Sequence, residues 1–121
     1  MYELVPNPEY EIRVQNWTNR TFDRVVVGFP EQTVDYGRVP AREFSSYRSV
    51  RGSVYNYAGA TVRAGRQTLY VRIIDYVGEH TLPQGRYTYR FMIVRDEDGK
   101  ESLDQEMGWF PRSPPTDTPR R

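Results

Sequence analysis

Apolar side chains in this chain recur at every second residue, and no stretch shows the spacing of an amphipathic helix. Tyr10, Ile12 and Val14 alternate with Glu11 and Arg13 over residues 9 to 15, the pattern of a strand with one buried face. Val25, Val27 and Phe29 align within residues 22 to 29 in the same way. QTVDYG (32 to 37) and REFSSYRSV (42 to 50) read as two further strands separated by Pro40. VYNYAGATVR (54 to 63) and QTLYVRIID (67 to 75) follow, the second with apolar residues on both faces and therefore expected to be central. RYTYRFMIV (86 to 94) aligns Tyr87, Tyr89, Phe91 and Ile93, and Asp98-Gly99 supplies a hairpin turn into a last strand at 101 to 107. About eight strands at intervals of roughly ten residues predict an all-β chain, an antiparallel immunoglobulin-like β-sandwich with Greek-key connections.

The expected organisation is a lead-in at 1–8, one sandwich domain at 9–110 and a tail at 111–121. That tail has four prolines in eleven residues and almost nothing to bury, so it is expected to be extended, ordering on contact with a partner. A chain of 121 residues is the usual size of one domain. Seventeen basic and sixteen acidic side chains leave a net charge of +1, which gives no global attraction to nucleic acid or anionic lipid. The absence of cysteine excludes disulfides, thiolate catalysis and sulfur-bound metals. MYELVPNP has no basic region followed by an apolar run, and no stretch reaches the length of a membrane span, so a soluble chain is expected.

LPQGRY (82 to 87) has the form Leu-x-x-Gly-x-Tyr just before the second-last strand. In immunoglobulin-like sandwiches a tyrosine placed there returns its hydroxyl to backbone a few residues upstream. Leu82, Gly85 and Tyr87 are therefore the expected structural corner. The chain also resembles the mature domains of a family of small, largely uncharacterised bacterial envelope lipoproteins. The resemblance is carried by Asn16 and Phe22, Tyr36 and Gly37, Ser45 and Tyr47, Tyr55 and Tyr57, and by Asp75 through Glu79 leading to Leu82, Gly85, Tyr87 and Tyr89. It spans residues 10 to 91 and implies an extracytoplasmic β-sandwich, at the periplasm or cell surface, with no established activity. A lipid-bearing cysteine heads such proteins, and the sequence as given contains no cysteine.

Chemistry-bearing clusters are few. Asp75, Glu79 and His80 lie at and just after a strand end with no second histidine, a pattern that fits a charged turn better than a metal ligand set or an acid–base pair. DEDGKE (96 to 101) lacks the ligand spacing of a calcium loop and fits a hairpin turn. NWTNRT (16 to 21) holds two glycosylation patterns but reads as an Asn-rich turn. No nucleophile elbow, phosphate loop, zinc-protease or dinucleotide motif occurs, so neither catalysis nor a cofactor is expected.

Binding is the remaining class. Tyr47, Tyr55, Tyr57 and Tyr70, with Arg48 and Arg72, are expected on polar-facing positions where rings stack partners or sugars. Trp109 and Phe110, just before the tail, are expected anchors. The sequence thus predicts a non-enzymatic structural or protein-binding module of a bacterial envelope or surface assembly. Its partner would be another envelope protein, or a second copy joined through edge strands or the tail. A carbohydrate-binding sandwich using exposed tyrosines is the alternative.

Overall fold

The computed structural model describes residues 9–55, 57–71 and 81–108. Within them lie eight strands: β1 (Glu9–Asn16), β2 (Phe22–Phe29), β3 (Gln32–Val39), β4 (Arg48–Arg51), β5 (Gly59–Ala64), β6 (Gln67–Val71), β7 (Gly85–Arg95) and β8 (Glu101–Gly108). They form two four-stranded sheets, ordered β4-β1-β7-β8 and β3-β2-β5-β6. The protein is an all-β sandwich. One pairing departs from the expected antiparallel plan: β1 runs parallel to β7, with Tyr10 opposite Gly85 and Asn16 opposite Phe91. The first strand joins the last hairpin across the whole chain length, and such a distant neighbour is free of the antiparallel sense a tight turn imposes.

The period-two pattern is the core. Tyr10, Ile12, Val14, Tyr89 and Phe91 from one sheet face Val25, Val27, Phe29, Val34, Tyr36, Val62 and Leu69 from the other, all buried. Two polar side chains cross between the sheets inside it. The Tyr36 hydroxyl on β3 donates to the Ile12 carbonyl on β1 at 2.8 Å. The Asn16 amide at the end of β1 donates to the Val39 carbonyl at the end of β3 at 3.0 Å. Desolvation pushes the Tyr36 phenol above its ordinary range, so it stays a donor at every physiological pH.

Two strands are shorter than expected, each for a local reason. Residues 42 to 47 are not strand, although Phe44 makes an isolated bridge to Gln15. Arg42 sits at φ 66°, which a bulky residue rarely adopts. The Ser45 hydroxyl, not a backbone carbonyl, accepts from the Val14 amide at 3.0 Å, so a side chain has displaced the regular ladder. Residues 54 to 58 carry the chain from β4 of one sheet toward β5 of the other, and β5 begins only at Gly59. Finally, among the described residues β6 is the last strand in its sheet order, an edge and not a centre. Residues 72 to 75, the rest of that expected strand, lie outside the described residues.

Turns follow their chemistry. The β7–β8 hairpin closes around Asp96, whose carboxylate accepts from the Asp98 and Lys100 amides at 2.8 and 2.9 Å. Gly99 takes the positive φ of 85° that this turn demands.

Two surface carboxylates are held ionised. Hydrogen bonds from Arg24, and then from the Gly37 amide, keep the Asp35 carboxyl below the usual carboxylate range. Arg95, and then Gln67, do the same for Glu101, which joins β8 to β6 and also pairs with Arg20 at 3.1 Å. Because both folded-state values are depressed, their stabilisation is complete above the unfolded value of about pH 4 and is lost as pH falls through the folded values. The urea midpoint is therefore expected to be flat down to about pH 5 and to drop below about pH 4. Glu101→Gln with Asp35→Asn should flatten that acid limb. An unchanged limb in the double variant would refute the assignment.

Candidate functional site

The corner is pinned at three points. The Tyr87 hydroxyl donates to the Pro83 carbonyl at 2.7 Å, the Tyr10 hydroxyl donates to the Leu82 carbonyl at 2.7 Å, and the Leu82 amide donates to the Val54 carbonyl at 2.7 Å. The two rings stand 6.4 Å apart, and the Leu82 side chain packs against the core. Gly85 opens β7 directly after it. Asp75, Glu79 and His80 lie outside the described residues, as do Arg72, Trp109 and Phe110.

The four tyrosines do not share a face. Tyr47 lies on the outer face of the first sheet, where Arg13 and Arg86 approach its ring centre to 4.9 and 5.0 Å. Arg13 also lies 3.6 Å over the Phe44 ring and donates to the Thr88 hydroxyl at 2.9 Å. On the same face Arg90 covers Trp17 at 4.2 Å and donates to the Gln15 side-chain oxygen Oε1. Arg13 reads from sequence as part of the polar side of β1. It is instead sandwiched, because residues 43 to 47 lie alongside β1 and bring Phe44 and Tyr47 over its polar side. This stack is a structural cover, since its rings are occupied by the protein's own guanidinium groups. Arg48 lies apart, 5.7 Å from the Tyr36 ring.

Tyr70 is on β6 of the second sheet and is 57% exposed, one of two large apolar side chains so open among the described residues, with Val94. It borders a shallow hollow with Asp96, Lys100, Ser102 and Leu103.

Tyr55 and Tyr57 come together elsewhere, in the crossing segment at one end of the sandwich. With Gly28, Phe29, Pro30 and Ala58 they line a mostly apolar cleft of about 360 Å³. The cleft is held from beneath. Tyr89 donates from the core to the Tyr55 carbonyl at 2.6 Å, its ring 5.8 Å from that of Phe29. Gln105 on β8 bonds both the Ala58 amide and the Ala58 carbonyl. Gly28 lies opposite Gly59 in the β2–β5 ladder, so bare backbone meets the aromatic wall. Phe29, Pro30 and Gly28 were not expected here from sequence. Phe29 reads as core, and only the Gly-Phe-Pro run at a strand end could have signalled an opening.

A second, polar hollow of about 680 Å³ lies near the same end, lined by Tyr10, Glu31, Gln32, Arg51, Gly52, Ser53 and Thr81. Gly52 is required there: at φ 90° a Cβ would stand 2.4 Å from the Glu31 side chain. Glu31 is the one carboxylate among the described residues that line it. Among the described residues no group of three or more His, Cys, Asp or Glu converges on a metal position. No helix among them is long and apolar enough to cross a membrane.

Fold and surface define a two-sheet β-sandwich with a rigidly backed aromatic cleft at one end. No protein-family model matches the chain, and a search of curated protein sequences returns no match. Among solved structures it is similar to "NMR structure of the protein from Eubacterium rectale", with a TM-score of 0.55 and 16% sequence identity. The similarity covers 88% of this chain and 91% of that one. At that identity it speaks to the fold alone.

Proposed function

We propose that this protein is a non-catalytic structural or protein-binding module of a bacterial envelope or surface assembly, and that its partner docks at the Tyr55–Tyr57 cleft. The observation that carries the reading is the make-up of that cleft: two tyrosines, a phenylalanine and a proline around bare glycine backbone, held from the core by Tyr89 and Gln105. Aromatic rings with a polar tip, already fixed in place, supply contact area at low entropic cost, which is what a protein hot spot needs. The envelope location rests on the sequence resemblance over residues 10 to 91.

Carbohydrate binding is the competing outcome. Dispersal of Tyr47, Tyr55–Tyr57 and Tyr70 to three places leaves a glycan no common stacking platform, which favours the protein partner. Immobilised full-length protein should retain one envelope protein at about one per chain, and Tyr55→Ala/Tyr57→Ala should weaken it by at least about tenfold. Glycan-array binding lost in the same double variant, with no retained protein, would replace this reading by the carbohydrate one.

A further inference from the structure

We propose that the side of the sandwich where β6 meets the β7–β8 hairpin is a second protein-contact surface, separate from the cleft. Its occupant is a basic segment of a partner that carries apolar side chains between its cations.

The centre of this surface is apolar. Tyr70 at 57% exposed and Val94 at 41% are the two large apolar side chains so open among the described residues. They come from different sheets, yet both border Ser102. Tyr70 lines a hollow of about 330 Å³ together with Ser102, Asp96, Lys100 and Leu103. Val94 stands opposite Ser102 in the β7–β8 ladder. The next pair in that ladder, Ile93 and Leu103, has its leucine buried, so alternation turns Val94 and Ser102 outward. A tyrosine and a valine on either side of one small hydroxyl form a single patch, and exposed patches rimmed by polar groups mark contact sites.

The rim is acidic. Asp96, Glu97 and Asp98 in the hairpin turn, with Asp104 further along the outer side of β8, set four carboxylates against the ammonium of Lys100, the one lysine of the chain. Among the described residues none of these five groups forms an ion pair, whereas the neighbouring Glu101 is taken by Arg20 and Arg95. The Asp98 and Lys100 amides hold the Asp96 carboxylate in place, so part of the rim is fixed before anything binds. Excess carboxylate around an apolar centre is complementary to cations flanking an apolar side chain.

The same charges disfavour other occupants. A symmetric second copy would set the acidic rim against itself, a like-charge contact that costs affinity. An acidic glycan or a phosphate meets the same repulsion. Across β6, the exposed Arg63 of β5 lies opposite Thr68 and repels a basic segment, which confines it to the hairpin side.

Isotopically labelled full-length protein, titrated with the peptide Arg-Leu-Arg-Leu-Arg, tests this through its amide signals. Saturable shifts are expected at Tyr70, Val94, Lys100 and Ser102, and none from Glu-Leu-Glu-Leu-Glu. Tyr70→Ser/Val94→Thr should weaken binding by at least about tenfold. Glu97→Gln/Asp104→Asn should weaken it severalfold, its asparagine keeping an acceptor for the Gln105 amide that Asp104 now binds. All four positions are exposed, so urea midpoints should stay at the parent's value and separate lost binding from lost folding. Tyr55→Ala/Tyr57→Ala should leave the titration unchanged, which distinguishes this surface from the cleft. Equal binding of Arg-Ser-Arg-Ser-Arg would reduce the effect to bare charge attraction and overturn the proposal. So would shifts confined to other residues, the same shifts produced by a neutral glucan oligosaccharide, or their appearance on concentrating the protein alone.

Discussion

Phe91→Ala is expected to lower unfolding stability by about 3–5 kcal/mol, the range for deleting a fully buried phenylalanine ring. Phe91 has no exposed surface and sits on β7, between β1 and β8 in its sheet. Its inward side belongs to the one core shared by both sheets, so side chains from both would have to move to fill the space. Strands cannot shift singly without breaking their ladders, and the cavity would persist. For a domain of this size the loss is a large share of the total stability. Urea unfolding at neutral pH measures it. A change below about 1 kcal/mol would mean that the two sheets do not share a packed interior.

Asn16→Ala is the second large effect, expected at about 1–3 kcal/mol although it removes only a small polar group. Asn16 is fully buried and uses its whole amide. Its nitrogen donates to the Val39 and Arg20 carbonyls at 3.0 and 2.6 Å, and its oxygen accepts from the Thr18 amide and hydroxyl at 3.1 and 2.6 Å. Alanine takes this donor from the buried Val39 carbonyl, the costly half of any buried hydrogen bond, while the Thr18 hydroxyl keeps the Arg20 carbonyl at 3.1 Å. Asn16→Asp should do no better at neutral pH, because a carboxylate cannot donate to Val39 or Arg20 and would be buried as a charge. Tyr36 would still tie β3 to β1 through Ile12, so folding should survive with a lowered midpoint. An Asn16→Ala variant as stable as the parent would show that this tie is dispensable. The same geometry also makes Asn16 unsuited to carry a glycan, despite its Asn-Trp-Thr pattern.

The strand alternation was legible wherever one face meets the core. Ile12, Val25, Val27, Tyr89 and Phe91 are inward as their spacing predicts. The Leu82-Gly85-Tyr87 spacing likewise carried a specific geometry, now visible as the Tyr87–Pro83 hydrogen bond. What alternation could not show was the second side of β1. Arg13 and Gln15 look like solvent-facing residues until the segment carrying Phe44 and Tyr47 lies across them, and that path is set by Ser45 and Arg42, not by hydropathy. Edge and centre were likewise illegible for β6, because the pattern of a strand records which faces are covered and not which neighbours pair with it.

The cleft was half legible. Tyr55 and Tyr57 stood out as aromatic residues two apart, which suggested one face of a strand. They are neighbours at the sandwich end because Tyr89 and Gln105 hold the crossing segment by its backbone. Their partners Phe29, Pro30 and Gly28 come from a distant turn, and only the packing of the two sheets brings them there. Tyr47 and Tyr70, alike in sequence, are taken to other surfaces by the same packing.

The central claim is that a protein partner uses this cleft, and site-directed photo-crosslinking tests it most directly. A photoreactive aromatic amino acid at position 57, introduced into the full-length chain in its native envelope, should yield one discrete adduct with one envelope protein. The same group at exposed position 63, on the outer face of β5, should yield none. Equal labelling from both positions, or no protein adduct at 57 where a glycan binds and needs Tyr55 and Tyr57, would contradict it.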